Sequence, residues 1–305
     1  MPQLNFYHNL TVCLKERLVG LKIRPLSILA LKNHKLLKIN TLKMNHKSKT
    51  IIGAIAGDII GSVYEAKNIK AYRFPLFTSY STFTDDSVMT MAVVDAVLNK
   101  KDFKETIWMY GRKYPNRGYG GMFRTWLKSD NPQPYDSFGN GSAMRVSPIG
   151  FAFDTLEDVL EAAKQSAEVS HNHSEGIKGA QVVAAAVFLA RTGKSKADIQ
   201  TYIETTFGYD LSFTLDDIRP SYRFNATCQG SVPQAIRAFL ESTNFEDAIR
   251  LAISIGGDSD TIACIAGGVA TAFYKNMPTH IIDGIVAKLP TEFLDLLEQF
   301  DAKYA

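Results

Sequence analysis

A chain of 305 residues with 46% hydrophobic content can bury one large core or two small ones. Its formal charge of +3 is misleading. Residues 1–50 carry ten Lys/Arg and a single acid, so residues 51–305 hold 24 basic and 30 acidic side chains, a formal charge of −6. A mildly acidic body argues against a general nucleic-acid-binding surface, and no apolar run reaches the roughly 20 residues that span a bilayer. The three cysteines, Cys13, Cys228 and Cys264, form no CxxC pair, which argues against a disulfide framework or a zinc site and fits unpaired thiols in a reducing cytoplasm.

The first segment, residues 1–45, is basic and almost free of acids. It has no small-residue cleavage site behind an apolar core, so it is expected to be a poorly ordered extension ahead of a domain over 46–305. From Ile51 the pattern changes to helix after helix. Ile51, Ile55, Ile59 and Val63 recur every four residues, with Ile52 and Ile60 widening the stripe. Asp58 falls on that apolar side and is expected to be partly buried and hydrogen-bonded. Similar periodicity predicts helices over 86–98, 155–168, 175–191, 196–206, 232–241, 245–254, 261–274 and 291–303. Asp154 or Thr155, Ser195, Ser231, Asn244 and Thr291 are suitable N-caps for several of these. Residues 73–80 and 147–153 read as extended, but neither makes a sheet. Residues 67–83 and 114–142 read as long loops, the second rich in Gly and Pro. The fold class is therefore all-α, as a single multi-helix domain.

Two acidic clusters open predicted helices: Thr84-Asp85-Asp86-Ser87 and Gly256-Gly257-Asp258-Ser259-Asp260-Thr261. Helix capping explains either one alone, but capping needs a single side-chain oxygen and each cluster offers three. Four buried carboxylates need a counter-charge, and with two threonine hydroxyls they form an all-oxygen set suited to a pair of hard divalent cations, Mg²⁺-like. The Asp258-x-Asp260 spacing is not an EF-hand, because the fifth position is Ile262 and the twelfth Val269. Three weaker signals remain. Residues 139–145 form a small-residue, glycine-rich segment whose amides suit a diphosphate. Glu65 closes the first predicted helix at the mouth of a loop. His171 and His173 precede the helix over 175–191, with Ser174 a candidate cap.

Five segments, GAIAGDIIGSVYE, FTDDSVMTMAVVDAVL, GNGSAMRVSPIGF, SHNHSEGIKGA and GGDSDTIACIAGG, occur in this order over most of residues 50–275. Together they resemble the ADP-ribosylglycohydrolase family, the kin of dinitrogenase-reductase-activating glycohydrolase. The resemblance implies an all-α fold with two Mg²⁺ (or Mn²⁺) ions in an ADP-ribose cleft. It implies Thr84, Asp85 and Asp86 as one set of metal ligands and Asp258, Asp260 and Thr261 as the other. Glu65 and Asp260 become the candidate catalytic carboxylates, and Gly139, Asn140, Gly141, Ser142, Ala143, Met144 and His171 the candidate substrate contacts. Ser87 stands where many relatives have Thr, and the linker from His171 to Asp258 is shorter than in larger animal relatives. The implied reaction is hydrolysis of the glycosidic bond at C1″ of an ADP-ribosylated protein or small conjugate. Two rivals from other classes are a silent ADP-ribose-binding protein and a dinuclear phosphohydrolase that would release AMP. The resemblance specifies neither the linkage cut nor the oligomeric state.

Overall fold

A computed structural model describes residues 50–305, so the expected extension over 1–45 lies outside the described residues. What it describes is helical throughout. Among the described residues there is no β-strand, and only an isolated antiparallel bridge joins Gly139 to Thr227. No described helix is long and apolar enough to cross a membrane.

The centre of the fold is a pair of helices, α1 (Ile52–Glu65) and α13 (Ser259–Tyr274). Almost every residue of α13 is buried, as expected of a helix that is apolar on all faces. The two axes approach closely because Gly53, Gly57 and Gly61 recur every four residues along α1 and face α13. A Cβ on Gly57 would lie 2.0 Å from the Ala263 carbonyl oxygen and 2.5 Å from the Cys264 nitrogen, and Gly267 answers from α13 against the Gly53 carbonyl at 2.2 Å. These are backbone obstacles, so no rotamer change relieves them. Gly57→Ala is therefore expected to destabilise the protein by about 3 kcal/mol, at the upper end for overpacking, measured as a lower urea midpoint at unchanged slope.

Around this pair stand α2 (Asp85–Asn99), α8 (Ser174–Arg191), α11 (Cys228–Glu241) and α12 (Phe245–Ser254). The helix α7 (Leu156–Glu168) packs on α8, and α15 (Thr291–Tyr304) covers α2. Several caps match expectation. Thr84, Thr155, Ser195 and Asn244 each accept from a backbone N–H in the first turn, and Ser195 forms a full capping box with Asp198.

Other expectations need correction. The cap of α8 is His173, whose Nδ1 accepts from the Glu175 amide at 3.1 Å, rather than Ser174. The helix expected over 232–241 starts earlier, at Cys228, capped by Thr227 rather than Ser231; its internal Pro233, in the second turn, gives up one backbone hydrogen bond without ending the helix. Thr291 is the first helical residue behind Pro290 and caps nothing. Residues 147–153 are not extended: Ser147–Ala152 forms the short helix α6, with Pro148 in the first turn, where its missing N–H costs nothing. Helices also form where none was predicted, at α3 (Phe103–Lys113), α4 (Gly121–Lys128), α5 (Gly141–Met144), α10 (Leu215–Ile218) and α14 (Thr279–Val286). Thus α4 and the start of α5 interrupt the loop expected over 114–142. Residues 73–80 are irregular and join no sheet. The remaining helix, α9 (Lys196–Phe207), lies beside α8.

Candidate active site

The crossing of α1 and α13 brings together acids that are far apart in the chain. Three chain segments converge: the N-terminus of α2, the N-terminus of α13, and the second half of α1. Both N-termini present the positive end of a helix dipole to the same space, which favours negative side chains there.

Asp58 in α1 is completely buried. Its carboxylate accepts from the Thr84 amide at 2.9 Å, the Thr84 hydroxyl at 2.6 Å, the Ser87 amide at 3.1 Å and the Ser87 hydroxyl. Those two amides are at the N-cap and N3 of α2, so Asp58 bridges both ends of its first turn from another helix. The Thr84-Asp85-Asp86 segment is thereby fixed to α1. The Thr261 hydroxyl lies 3.4 Å from Asp86 Oδ2, linking positions 175 apart and tying α13 to α2.

The carboxylates fall into two trios. In one, oxygens of Asp58, Asp86 and Asp260 lie within 4.8 Å of one another; in the other, oxygens of Glu65, Asp258 and Asp260 do. Asp260 belongs to both. Glu65 is exposed as a residue, but its carboxylate reaches the buried pair. Among the described residues no Lys, Arg or His forms an ion pair with any of these acids. Burial, reinforced by neighbouring carboxylates, raises Asp86 and Asp260 well above the ordinary carboxylate range; burial, then Asp58, does the same for Asp85. Burial raises Asp58 and Asp258 as well, partly offset by the hydrogen bonds each accepts, and burial with Asp258 raises Glu65. The Asp86 Oδ1 atom is buried with no hydrogen-bond partner. Crowded carboxylates with an orphaned oxygen and no cationic side chain are what an all-oxygen site for hard divalent cations requires. The residues present therefore fit a metal.

These trios differ from the sets expected by sequence. Each mixes helices, and Asp58 joins one of them although it was expected only to be a buried hydrogen-bonded acid. Asp85 lies outside both trios, but it lines the same cleft, beside Gly118. Thr84 does not line the cleft; its hydroxyl is turned to Asp58.

The loop that follows Glu65 is held by Asn68. Its amide nitrogen donates to the Tyr64, Glu65 and Gly257 carbonyls at 2.7–3.0 Å, while its oxygen accepts from the Gly257 amide at 2.6 Å. Gly256 and Gly257 both have positive φ, 68° and 78°, so this turn can form without strain.

Glu65, Asp85, Asp86, Asp258 and Asp260 line a cleft of about 390 Å³, while the fully buried Asp58 does not. Its other walls include Gly139, Asn140, Gly141, Met144 and His171, together with Phe123, Tyr135, Phe138 and Phe224. Asn140 ties the glycine wall to the acids, donating to Asp258 Oδ2 at 2.7 Å, and also donates to Ser231 Oγ at 3.0 Å. Ser142 and Ala143 do not line the cleft. Both are fully buried, and the Ser142 hydroxyl donates to the Gly176 carbonyl at 2.7 Å. The reason is that residues 141–144 turn as α5, which keeps Gly141 and Met144, three apart on one face, at the cleft and turns Ser142 and Ala143 inward. That turn also occupies the amides of Ala143 and Met144 with the Asn140 carbonyl, while the Asn140 amide donates to the Ala226 carbonyl and that of Gly139 to Ser137 Oγ, so the broad amide cradle expected here shrinks. The aromatic wall went unseen in sequence because its members come from α4 (Phe123) and two irregular stretches (Tyr135 with Phe138, and Phe224) with no common period.

A family model described as ADP-ribosylglycohydrolase matches residues 46–304. The chain is 29% identical to ADP-ribosylhydrolase ARH3 of Mus musculus over 306 residues, covering 73% of this chain and 82% of that protein. It is 24% identical to ADP-ribosylarginine hydrolase Tri1 of Pseudomonas putida over 291 residues, covering 82% and 78%. A solved structure titled ADP-ribosylglycohydrolase-related protein complex matches its fold with a TM-score of 0.62 at 20% identity, over 87% of this chain and all of that one. With the family model spanning nearly all of the helical body described above, the chain belongs to the ADP-ribosylglycohydrolase family and is a hydrolase of that type.

Proposed function

We propose that this protein hydrolyses the glycosidic bond at C1″ of an ADP-ribosyl conjugate and releases ADP-ribose. The observation that carries this reading is the pair of carboxylate trios sharing Asp260 at a cleft whose other walls include glycines and aromatic rings. The names of the relatives, an ADP-ribosylhydrolase and an ADP-ribosylarginine hydrolase, point to the same half of the substrate.

Asp58, Asp86 and Asp260 would hold one divalent cation and Glu65, Asp258 and Asp260 a second, with Asp85 and Thr261 beside them; Mg²⁺ or Mn²⁺ suits such oxygen ligands. When bound, such a metal pair supplies positive charge against the ribose diol and the attacking water. The chain's own residues do the rest. Phe123, Tyr135, Phe138 and Phe224 offer aromatic faces to a flat base. The glycines at 139 and 141 leave room for backbone to approach a diphosphate. Glu65, at the open end of the acidic group, is placed to stabilise positive charge developing at C1″ and to accept a proton from water. Water adds to C1″, the bond to the acceptor atom breaks, and that atom leaves with a proton.

The test is a panel of defined conjugates (ADP-ribosyl-arginine, ADP-ribosyl-serine and O-acetyl-ADP-ribose) incubated with Mg²⁺ or with EDTA, the products identified by mass. The expected result is intact ADP-ribose from at least one conjugate, lost in EDTA. AMP as the product would make the protein a phosphohydrolase. Binding of ADP-ribose without turnover of any conjugate would make it a binding protein.

A further inference from the structure

Arg145 is the largest fully buried side chain among the described residues, and no carboxylate pairs with it. A buried, unpaired guanidinium is costly and calls for a reason. Part of the reason is local. One of its terminal nitrogens donates to the Ser166 carbonyl at 2.5 Å, in the last turn of α7, where a cation meets the negative end of the helix dipole. The same nitrogen also donates to the Ser170 hydroxyl at 3.2 Å, and that hydroxyl lies 2.8 Å from His171 Nδ1. His171 is buried, lines the cleft, and turns its other nitrogen, Nε2, toward Gly139 and Gly141: a Cβ on either would lie 3.5 and 3.0 Å from it.

Counting protons decides how the chain of bonds is directed. Arg145 can only donate, so Ser170 Oγ is an acceptor in that bond. The Ser170 hydroxyl proton is fully buried and has one acceptor in reach, His171 Nδ1. If Nδ1 carried the ring proton, that hydroxyl proton would be stranded in the interior, which costs the desolvation of a donor. The arrangement that satisfies both the Ser170 hydroxyl and His171 Nδ1 places the ring proton on Nε2. Burial, and secondarily the Arg145 charge, also hold His171 well below the ordinary imidazole range, so the ring is neutral.

We infer that Arg145 and Ser170 are positioning residues that lock His171 as a neutral Nε2–H donor aimed into the cleft beside the Gly139–Gly141 turn, where it meets an oxygen acceptor of the bound ligand. The chemistry recognised is an oxyanion or hydroxyl oxygen, not a cation, and a doubly protonated ring is excluded by the same geometry. The ligand half of this inference rests on the function proposed above; the tautomer half does not.

The experiment begins with the ligand-free protein. Long-range ¹⁵N–¹H correlation spectra of ¹⁵N-labelled protein, with His171→Gln identifying the signal, should show one neutral, Nε2-protonated ring from about pH 6 to 8. An imidazolium or an Nδ1-protonated ring would overturn the inference. In Ser170→Ala the ring should become a mixture of tautomers, and ADP-ribose affinity by calorimetry should fall about tenfold with a melting temperature within a few degrees of the parent. Arg145→Met should mix the tautomers in the same way, and Arg145→Lys should restore the single form. A Ser170→Ala protein that keeps both the single tautomer and its affinity for ADP-ribose would also overturn it. Should Arg145→Met fail to fold, Ser170→Ala and the parent spectrum decide the matter alone. Should the parent protein not bind ADP-ribose at all, the proposed function fails while the spectra still test the lock.

Discussion

Asp260→Asn is expected to make the metal-free protein more stable and the enzyme inactive. Asp260 is the one acid common to both trios, and its carboxylate is buried among Asp86, Asp258, Glu65 and Asp58 with no cationic side chain beside it. In the absence of metal each ionised member repels the others and is poorly solvated. Asparagine has the same shape, keeps an oxygen for the Thr261 amide that Asp260 Oδ1 accepts at 3.0 Å, and removes one charge. Relief of about 1 kcal/mol corresponds to a rise of roughly 2–4 °C in melting temperature for a domain of this size. With metal the order should invert. Saturation at 100 times the dissociation constant stabilises the parent by about 2.7 kcal/mol, and the variant, lacking a shared ligand, gains little. Turnover should fall by at least about 10³-fold. Thermal melts of both proteins in EDTA and in excess Mg²⁺ read the crossing. Parallel melting curves in both buffers would show that these acids hold no metal.

The acids of this site were visible in the sequence because their chemistry is local: a Thr-Asp-Asp step and a Gly-Gly-Asp-Ser-Asp-Thr turn each place several oxygens at one helix start. Their division into trios was not visible. It follows from the glycine-lined crossing of α1 and α13, which places Asp58 against α2 and Asp260 between Asp86 and Asp258. Asp58 was legible as a buried acid on an apolar face, and its four hydrogen bonds agree. That it also faces Asp86 and Asp260 depends on contacts 28 and about 200 positions away.

The long helices were legible for the same local reason, an apolar stripe with a capping residue ahead of it. The short ones were not. Helices such as Gly121–Lys128 and Gly141–Met144, of 8 and 4 residues, are too short to be stable alone and carry no full apolar repeat, so packing supplies what their length lacks. The helix Phe103–Lys113 did carry a readable signal. Asp102 caps it by accepting from the Glu105 amide at 2.8 Å, and Arg112 and Lys113 close it. His173 as a cap is harder to see, because imidazole is not among the usual capping groups. The inward turn of Ser142 and Ala143 has the same origin as the missed α5: one helical turn in a stretch that reads as loop.

Glu65→Gln tests the chemistry while leaving the Asp58, Asp86 and Asp260 metal trio untouched. Glu65 ends α1, where the dipole disfavours a negative charge, and its carboxylate sits at the exposed edge of its trio. Nothing about a helix end demands an acid there, whereas a carboxylate that takes a proton from the water attacking C1″ must be both ionised and reachable. The substitution leaves the Asp58, Asp86 and Asp260 trio intact, so most of the metal-induced gain in melting temperature should survive, in contrast to Asp260→Asn. Asn68 holds the loop through the Tyr64 and Glu65 carbonyls, not the Glu65 side chain, so the backbone should keep its place. ADP-ribose affinity should then change by less than about threefold while kcat falls by about 10²–10⁴. Equal losses in metal binding and kcat would make Glu65 a ligand alone. Turnover within a factor of about three of the parent would return it to an ordinary solvated helix end and leave Asp260 as the only candidate for the proton.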